Sequence, residues 1–213
     1  MIKDPLVWID CEMTGLDISK DHLIEIAVLI TDGDLNIVAE GPELIIHQSK
    51  DVMDDMNEWC VEHHGASGLT QQVLDSKISV EEAEKQVTEF LKLHVPQGVA
   101  PLAGNSVHAD KVFLCKEMPS VVDHLHYRIV DVSTIKELAK RWYPQIAKGV
   151  VKKAGHRALD DIIESIEELK YYRQHVFINM VRQTKNKETG KKLKDGENPI
   201  YPRVGAIGRW ENM

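Results

Sequence analysis

The sequence predicts an α/β fold: a mixed sheet of five strands flanked by helices. Three observations predict it. Three apolar segments rich in β-formers follow one another within the first 48 residues, and the links between them are too short for helical crossovers. Two further short strands then alternate with helical segments, the pattern of parallel crossovers of the usual right hand. The composition, 43% apolar and 28% charged, is that of an ordinary globular domain.

LVWIDCE (6–12) reads as a buried strand ended by the MTG turn. HLIEIAVLITDGD (22–34) is a second strand closed by Asp-Gly-Asp, and NIVAEGPELIIHQ (36–48) a third, bent or interrupted at Gly41-Pro42. Together they predict an antiparallel meander. Residues 52–75 mix polar and aromatic side chains, and Gly65 and Gly68 break them into short helical pieces. Val80, Ala83, Val87, Phe90 and Leu91 have helical spacing, and Pro96 stops that helix. PLAGNS (101–106) is a short fourth strand, Lys111 to Lys116 opens a helix, and YRIVDV (127–132) is strand five. Thr134 and Glu137 form a capping box ahead of Ile135, Leu138, Ala139 and Trp142, and Pro144 ends that helix. Leu159, Ile162, Ile163, Ile166 and Leu169 mark the apolar face of a long helix over about 157–176.

Length and charge limit the function. The 213 residues suffice for one domain, expected over 1–177, with a basic and flexible tail over 178–213. Residues 1–172 carry a net charge of −13 and residues 173–213 a net of +5. An acidic body argues against wrapping a long nucleic acid, which calls for a basic stripe. It suits a small substrate whose few phosphates are met by metals and selected donors. Cys11, Cys60 and Cys115 are scattered and odd in number, which argues against a disulfide framework or a zinc site and for a reducing interior. No apolar run approaches the roughly 20 residues that cross a bilayer, so no membrane is expected. Met1 stands a few residues before the first strand. The expected location is therefore intracellular, cytoplasmic as written or mitochondrial if a targeting segment precedes this sequence.

The chemistry is carried by charged residues beside the core segments. Asp10 and Glu12 are two apart on a strand, so they share a face with Cα atoms about 6.6 Å apart. Asp110 follows the Gly104-Asn105-Ser106 end of the fourth strand. His156 and Asp161 open the last helix. Five residues apart, they would lie about 140° apart on a continuous helix. They converge only if His156 lies on the loop before it, where Gly155 favours a loop. Taken singly, each acid has an ordinary reading as a solvated strand end or a helix N-terminal charge. Converging, they repel: two like charges about 4 Å apart cost on the order of 4 kcal/mol at an effective dielectric of about 20. A hard divalent cation with oxygen ligands removes that cost, and a pair of such ions is the usual clamp for displacement at phosphorus. Periodicity does not distinguish Asp160 from Asp161 as the ligand.

D-x-E on strand one, Asp after strand four and H-x4-D at the last helix resemble the DEDDh 3′→5′ exonucleases. WIDCEMTGLD, GNSVHADKVFL, HYRIVDVSTIKELAKRWYP and HRALDDIIESIEELKYYR resemble the oligoribonuclease branch of that family throughout. EWCVEHHGASGLT places the eukaryotic form nearest. The resemblance spans roughly residues 5–177. It implies an RNase H-like fold (the DnaQ-like exonuclease class) and two Mg²⁺ or Mn²⁺ ions held by Asp10, Glu12, Asp110 and Asp161. It also implies His156 as general base and release of 5′-mononucleotides from the 3′ end of very short oligoribonucleotides, dinucleotides especially. Leu16 and Trp59 match the residues that wedge the bases, although Trp59 by itself reads equally well as core. Ser106, His64, Tyr127 and Arg128 match a cap on the substrate's 5′ phosphate, part of it supplied by the other subunit of a homodimer. Alternatives remain: a related exonuclease trimming longer RNA or DNA, a nucleotide-binding protein without turnover, or a structural metal site.

Overall fold

The computed structural model of the chain describes residues 2–150 and 157–177. Five strands form one sheet in the order β3-β2-β1-β4-β5. β1 (Leu6–Met13), β2 (Leu23–Thr31) and β3 (Ile37–Ile45) make the expected antiparallel meander. β4 (Pro101–Gly104) and β5 (His126–Asp131) run parallel to β1. The predicted break at Gly41-Pro42 is a bulge in a continuous edge strand: Ala27 pairs with Glu43 but Leu29 with Glu40, so three steps on β3 match two on β2. An edge position tolerates the missing proline N–H.

β1 decides where everything else goes, because its side chains alternate between two packed faces. Val7, Ile9 and Cys11 enter one core with α4 (Val80–His94), α5 (His108–Glu117) and α6 (Pro119–His124). Trp8 enters the other, under α7 (Val132–Trp142) and α9 (Ala158–Tyr172), and its indole N–H donates to Thr31 Oγ1 at 3.0 Å. A third, smaller core joins Ile24 to α1 (Lys50–Asp54), α2 (Glu58–Ala66) and α3 (Leu69–Asp75) through Met53, Cys60, Leu69 and Val73. A short α8 (Pro144–Ala147) follows α7, and a π-helical turn (Arg173–Phe177) ends α9.

Several local expectations are corrected. Gly65 lies inside α2, and only Gly68, at φ 78°, punctuates the segment. The Thr134–Glu137 capping box does not form. β5 runs straight into α7, so the last strand residue, Asp131, is the N-cap and accepts from the Ser133 N–H at 2.9 Å. Glu137 instead pairs with Lys140 at 2.7 Å and Arg141 at 2.6 Å. On α9 Ile163 is exposed, whereas Ser165 and Glu168 are buried. The buried carboxylate of Glu168 meets Lys136 at 3.2 Å and Asn105 Nδ2 at 3.2 Å. Leu159, Ile162, Ile166 and Leu169 pack inward as expected; periodicity errs only at Ile163 and overlooks polar side chains that turn inward to buried partners.

A Cβ at Gly41 would stand 2.8 Å from the Val28 carbonyl oxygen and 2.6 Å from Phe90. Backbone on one side leaves little room to yield. Gly41→Ala is therefore expected to cost about 1–3 kcal/mol, read as a lower urea midpoint; an unchanged midpoint would show that the bulge relaxes freely.

Candidate active site

Asp10 and Glu12 share the Trp8 face of β1 and emerge beneath the N-terminal end of α9. Asp161 sits in the first turn of that helix, its N–H donating to the Arg157 carbonyl at 3.0 Å. Asp10, Glu12 and Asp161 each offer an oxygen, and those oxygens lie within 4.8 Å of one another. Of the two adjacent acids, Asp161 joins the cluster and Asp160 is exposed. Asp110, buried in the first turn of α5, stands beside this trio, and its Oδ1 accepts from the Cys11 N–H at 3.0 Å. That bond ties it to the residue between Asp10 and Glu12. His156 lies outside the described residues.

Charge repulsion in the cluster is strong. Burial and then the Asp110, Glu12 and Asp161 charges push the Asp10 carboxyl well above its ordinary range. Glu12 is raised to about 8 by burial, with Glu25, Asp161 and Asp110 adding and Arg157 opposing. Burial lifts Asp110 to about 7 against the pull of its hydrogen bond from Cys11. The α9 dipole offers an acid in its first turn only about 0.3–1 kcal/mol, too little to offset several like charges that are half-buried or buried. An all-oxygen donor set at this spacing fits a hard divalent cation such as Mg²⁺ or Mn²⁺, not a thiolate-seeking one.

Sequence reasoning missed three residues that border the site, Glu25, Arg157 and Glu43. Glu25, fully buried, pairs with Glu12 across β1 and β2. Its carboxylate accepts from Arg157, at 2.7 Å from the terminal nitrogen and 3.1 Å from Nε. Glu43 approaches the same guanidinium at 3.6 Å. The available signal was an acid inside the otherwise apolar run LIEIAVLIT.

A cavity of about 420 Å³ opens beside Glu12, lined by Leu16, Asn57, Trp59, Cys60 and His64 among others. Leu16 is 77% and Trp59 55% exposed, so neither belongs to the core. The turn carrying Leu16 is pinned by buried Asp21, which accepts from Thr14 Oγ1 at 3.1 Å and the Asp17 N–H at 2.8 Å. Asn57 caps α2 by accepting from the Cys60 N–H at 3.0 Å, which fixes the turn that presents Trp59. His64 is buried with Nε2 3.0 Å from the Met13 carbonyl oxygen. Ser106, at φ 53°, follows β4; its N–H donates to Asp131 at 2.9 Å. Tyr127 and Arg128 are different. They stand exposed at the start of β5, with the Arg128 guanidinium 5.2 Å from the Tyr127 ring centre. The carboxylates lie toward the far ends of parallel strands, roughly 13 Å of strand away. Within one chain the two groups are not brought together.

Sheet order, helical layers and converging carboxylates define an RNase H-like exonuclease domain, and the exonuclease family model matches residues 7–169. Among solved structures, an E. coli exonuclease I bound to single-stranded DNA superposes with a TM-score of 0.65 at 14% identity. That match covers 88% of this chain and 44% of the other, a likeness of fold. A Dictyostelium discoideum protein named as a probable oligoribonuclease is 61% identical over 81% of this chain and 90% of its own length. A Homo sapiens protein named as a mitochondrial oligoribonuclease is 55% identical over 91% of this chain and 80% of its own. The chain belongs to the oligoribonuclease family, and is a 3′→5′ exoribonuclease. All three cysteines are free, and no described helix is long and apolar enough to cross a membrane.

The raised carboxyls set a pH dependence. Glu12 and Asp110 hold protons in the folded chain up to about 8 and about 7 that the unfolded chain releases near pH 4. The folded state then binds more protons across that interval, so its stability falls as pH rises through it. A cation that replaces those protons binds better once they have left. The gain in Tm on adding Mn²⁺ is therefore expected to grow from pH 6 to pH 8; a gain independent of pH would contradict the assignment of these acids.

Proposed function

We propose that the enzyme hydrolyses very short oligoribonucleotides, dinucleotides above all, from the 3′ end to 5′-mononucleotides, as a homodimer using two divalent ions, Mg²⁺ or Mn²⁺. The observation that carries this reading is the cavity beside Glu12 with exposed Leu16 and Trp59 at its margin. A large apolar pair left in water next to a carboxylate cluster suits base faces better than any core. One stacked base is worth roughly 1–3 kcal/mol, a large share of the binding energy when the substrate has two.

Asp10, Glu12, Asp110 and Asp161 would hold the ions, which when bound acidify water and neutralise charge on the departing oxygen. His156 takes a proton from the attacking water, as its ordinary pKa near 6.5 allows at neutral pH. The water oxygen bonds to phosphorus, the bond from phosphorus to the upstream O3′ breaks, and that oxygen leaves as a hydroxyl. The phosphate departs with the 3′ nucleoside as a 5′-mononucleotide.

Length is measured at the other end of the substrate. Ser106, through its hydroxyl, and His64, which lines the cavity with Nε2 on the Met13 carbonyl, are the other residues of the 5′-phosphate cap. The Arg128 fork suits phosphate oxygens, and its place at the far end of the sheet supports delivery from a second subunit. Names of mammalian relatives support a mitochondrial location beside a cytoplasmic one.

Two outcomes test this. Trp59→Ala and Leu16→Ala should each lower kcat/KM on a dinucleotide by about 5- to 150-fold; faster cleavage of a ten-nucleotide RNA than of a dinucleotide by the unaltered enzyme would instead favour trimming of longer ends. Neither Asp10→Asn nor Arg128→Ala protein should act on 5′-phosphorylated dinucleotides. Mixed after subunit exchange, they should recover activity, because one site per heterodimer then holds both residues. Absence of recovery would place Arg128 in the site of its own chain.

A further inference from the structure

The Glu25–Arg157–Glu43 cluster lies at the edge of the carboxylate site without belonging to it. Glu25 is fully buried, and a buried carboxylate of this kind needs a partner and hydrogen bonds. Arg157 supplies both, with Nε and one terminal nitrogen on the same carboxylate oxygen at 3.1 and 2.7 Å. Glu43 on β3 approaches the same terminal nitrogen at 3.6 Å. Arg157 is also the N-cap residue of α9, and it makes no side-chain capping bond there. Its carbonyl accepts the Asp161 N–H at 3.0 Å, so the backbone that the clamp anchors is the backbone that carries Asp161. Glu12 sits directly across the strand pair from Glu25. Two ion pairs on one guanidinium thus join β2, β3 and the first turn of α9 at the position where that turn must approach β1.

We propose that Arg157 is a positioning residue for catalysis: held by Glu25 and Glu43, its guanidinium fixes the first turn of α9 so that Asp161 stays within ligand distance of Asp10 and Glu12. The inference rests on the metal-dependent reading above. Glu25 serves as the anchor for Arg157, its oxygens engaged by the guanidinium. Its charge also bears on Glu12, and a lysine keeps that charge; the positioning contribution acts through Asp161 and exists only while Asp161 can bind an ion. A lysine keeps the charge that balances Glu25 but loses the planar fork and its orientation.

The test measures Mn²⁺ binding by calorimetry, alongside turnover, for the full chain. Arg157→Lys should fold with an unchanged circular dichroism spectrum and bind Mn²⁺ about tenfold more weakly, with the metal requirement for turnover rising in parallel. In an Asp161→Asn background the same change should leave the remaining Mn²⁺ affinity as it was, the signature of coupling. Unchanged affinity in Arg157→Lys, or an equal loss in both backgrounds, would overturn the proposal. If Arg157→Lys folds poorly, the neutral pair Glu25→Gln with Arg157→Met removes the buried charge together with its partner. The same tenfold loss is expected there, and retained affinity again overturns it. Failure of the unaltered protein to bind Mn²⁺ at all would strike the metal-dependent reading itself, so the two failures are separable.

Discussion

Converging, half-buried carboxylates that repel one another are the constraint on which this structure depends. Asp10, Glu12 and Asp161 are held with oxygens inside 4.8 Å, and Asp110 adds a fourth charge beside them. A helix dipole is worth less than a single such repulsion, and the Cys11 N–H relieves only part of the charge on Asp110. The arrangement survives because the surrounding apolar packing is indifferent to it. Ile162 and Ile166 press α9 onto the sheet, and Trp8, Val7 and Ile9 fix β1 beneath it. Burial of each such side chain contributes roughly 1.5–3 kcal/mol, comparable with the repulsion one pair of acids creates. Packing sets the geometry, and protons or a cation then relieve the charge.

The same division holds on the substrate side of the site. Leu16 and Trp59 stay largely exposed, Trp59 with one ring face on His63, and the hydrogen bonds that hold their turns are local. Asp21 closes the turn that carries Leu16, and Asn57 caps the helix that carries Trp59. Two short rigid pieces, one from β1 and one from the small third core, thereby face each other across a cavity. Tyr127 and Arg128 sit elsewhere, on the exposed edge strand β5. An edge strand with exposed aromatic and basic side chains is suited to meeting another surface, in keeping with a site completed by two chains.

Much of this was legible in the residues alone. Alternation along LVWIDCEM put Asp10 and Glu12 on one face, short links dictated the antiparallel meander, and helical spacing located α4, α7 and α9. The ordered set of acids resembled one exonuclease family closely enough to assign each a place in the fold. These signals are periodic or local, and a chain displays them without folding. What only the tertiary structure decided depended on partners distant in sequence. Trp59 is exposed, and Glu25, in the middle of an apolar strand, finds Arg157 132 positions away. Ser165 and Glu168 turn inward because Asn105 and Lys136 await them. A side chain's polarity is written in the sequence, whereas its burial depends on whether another element brings a matching charge or hydrogen bond, and that is settled by packing.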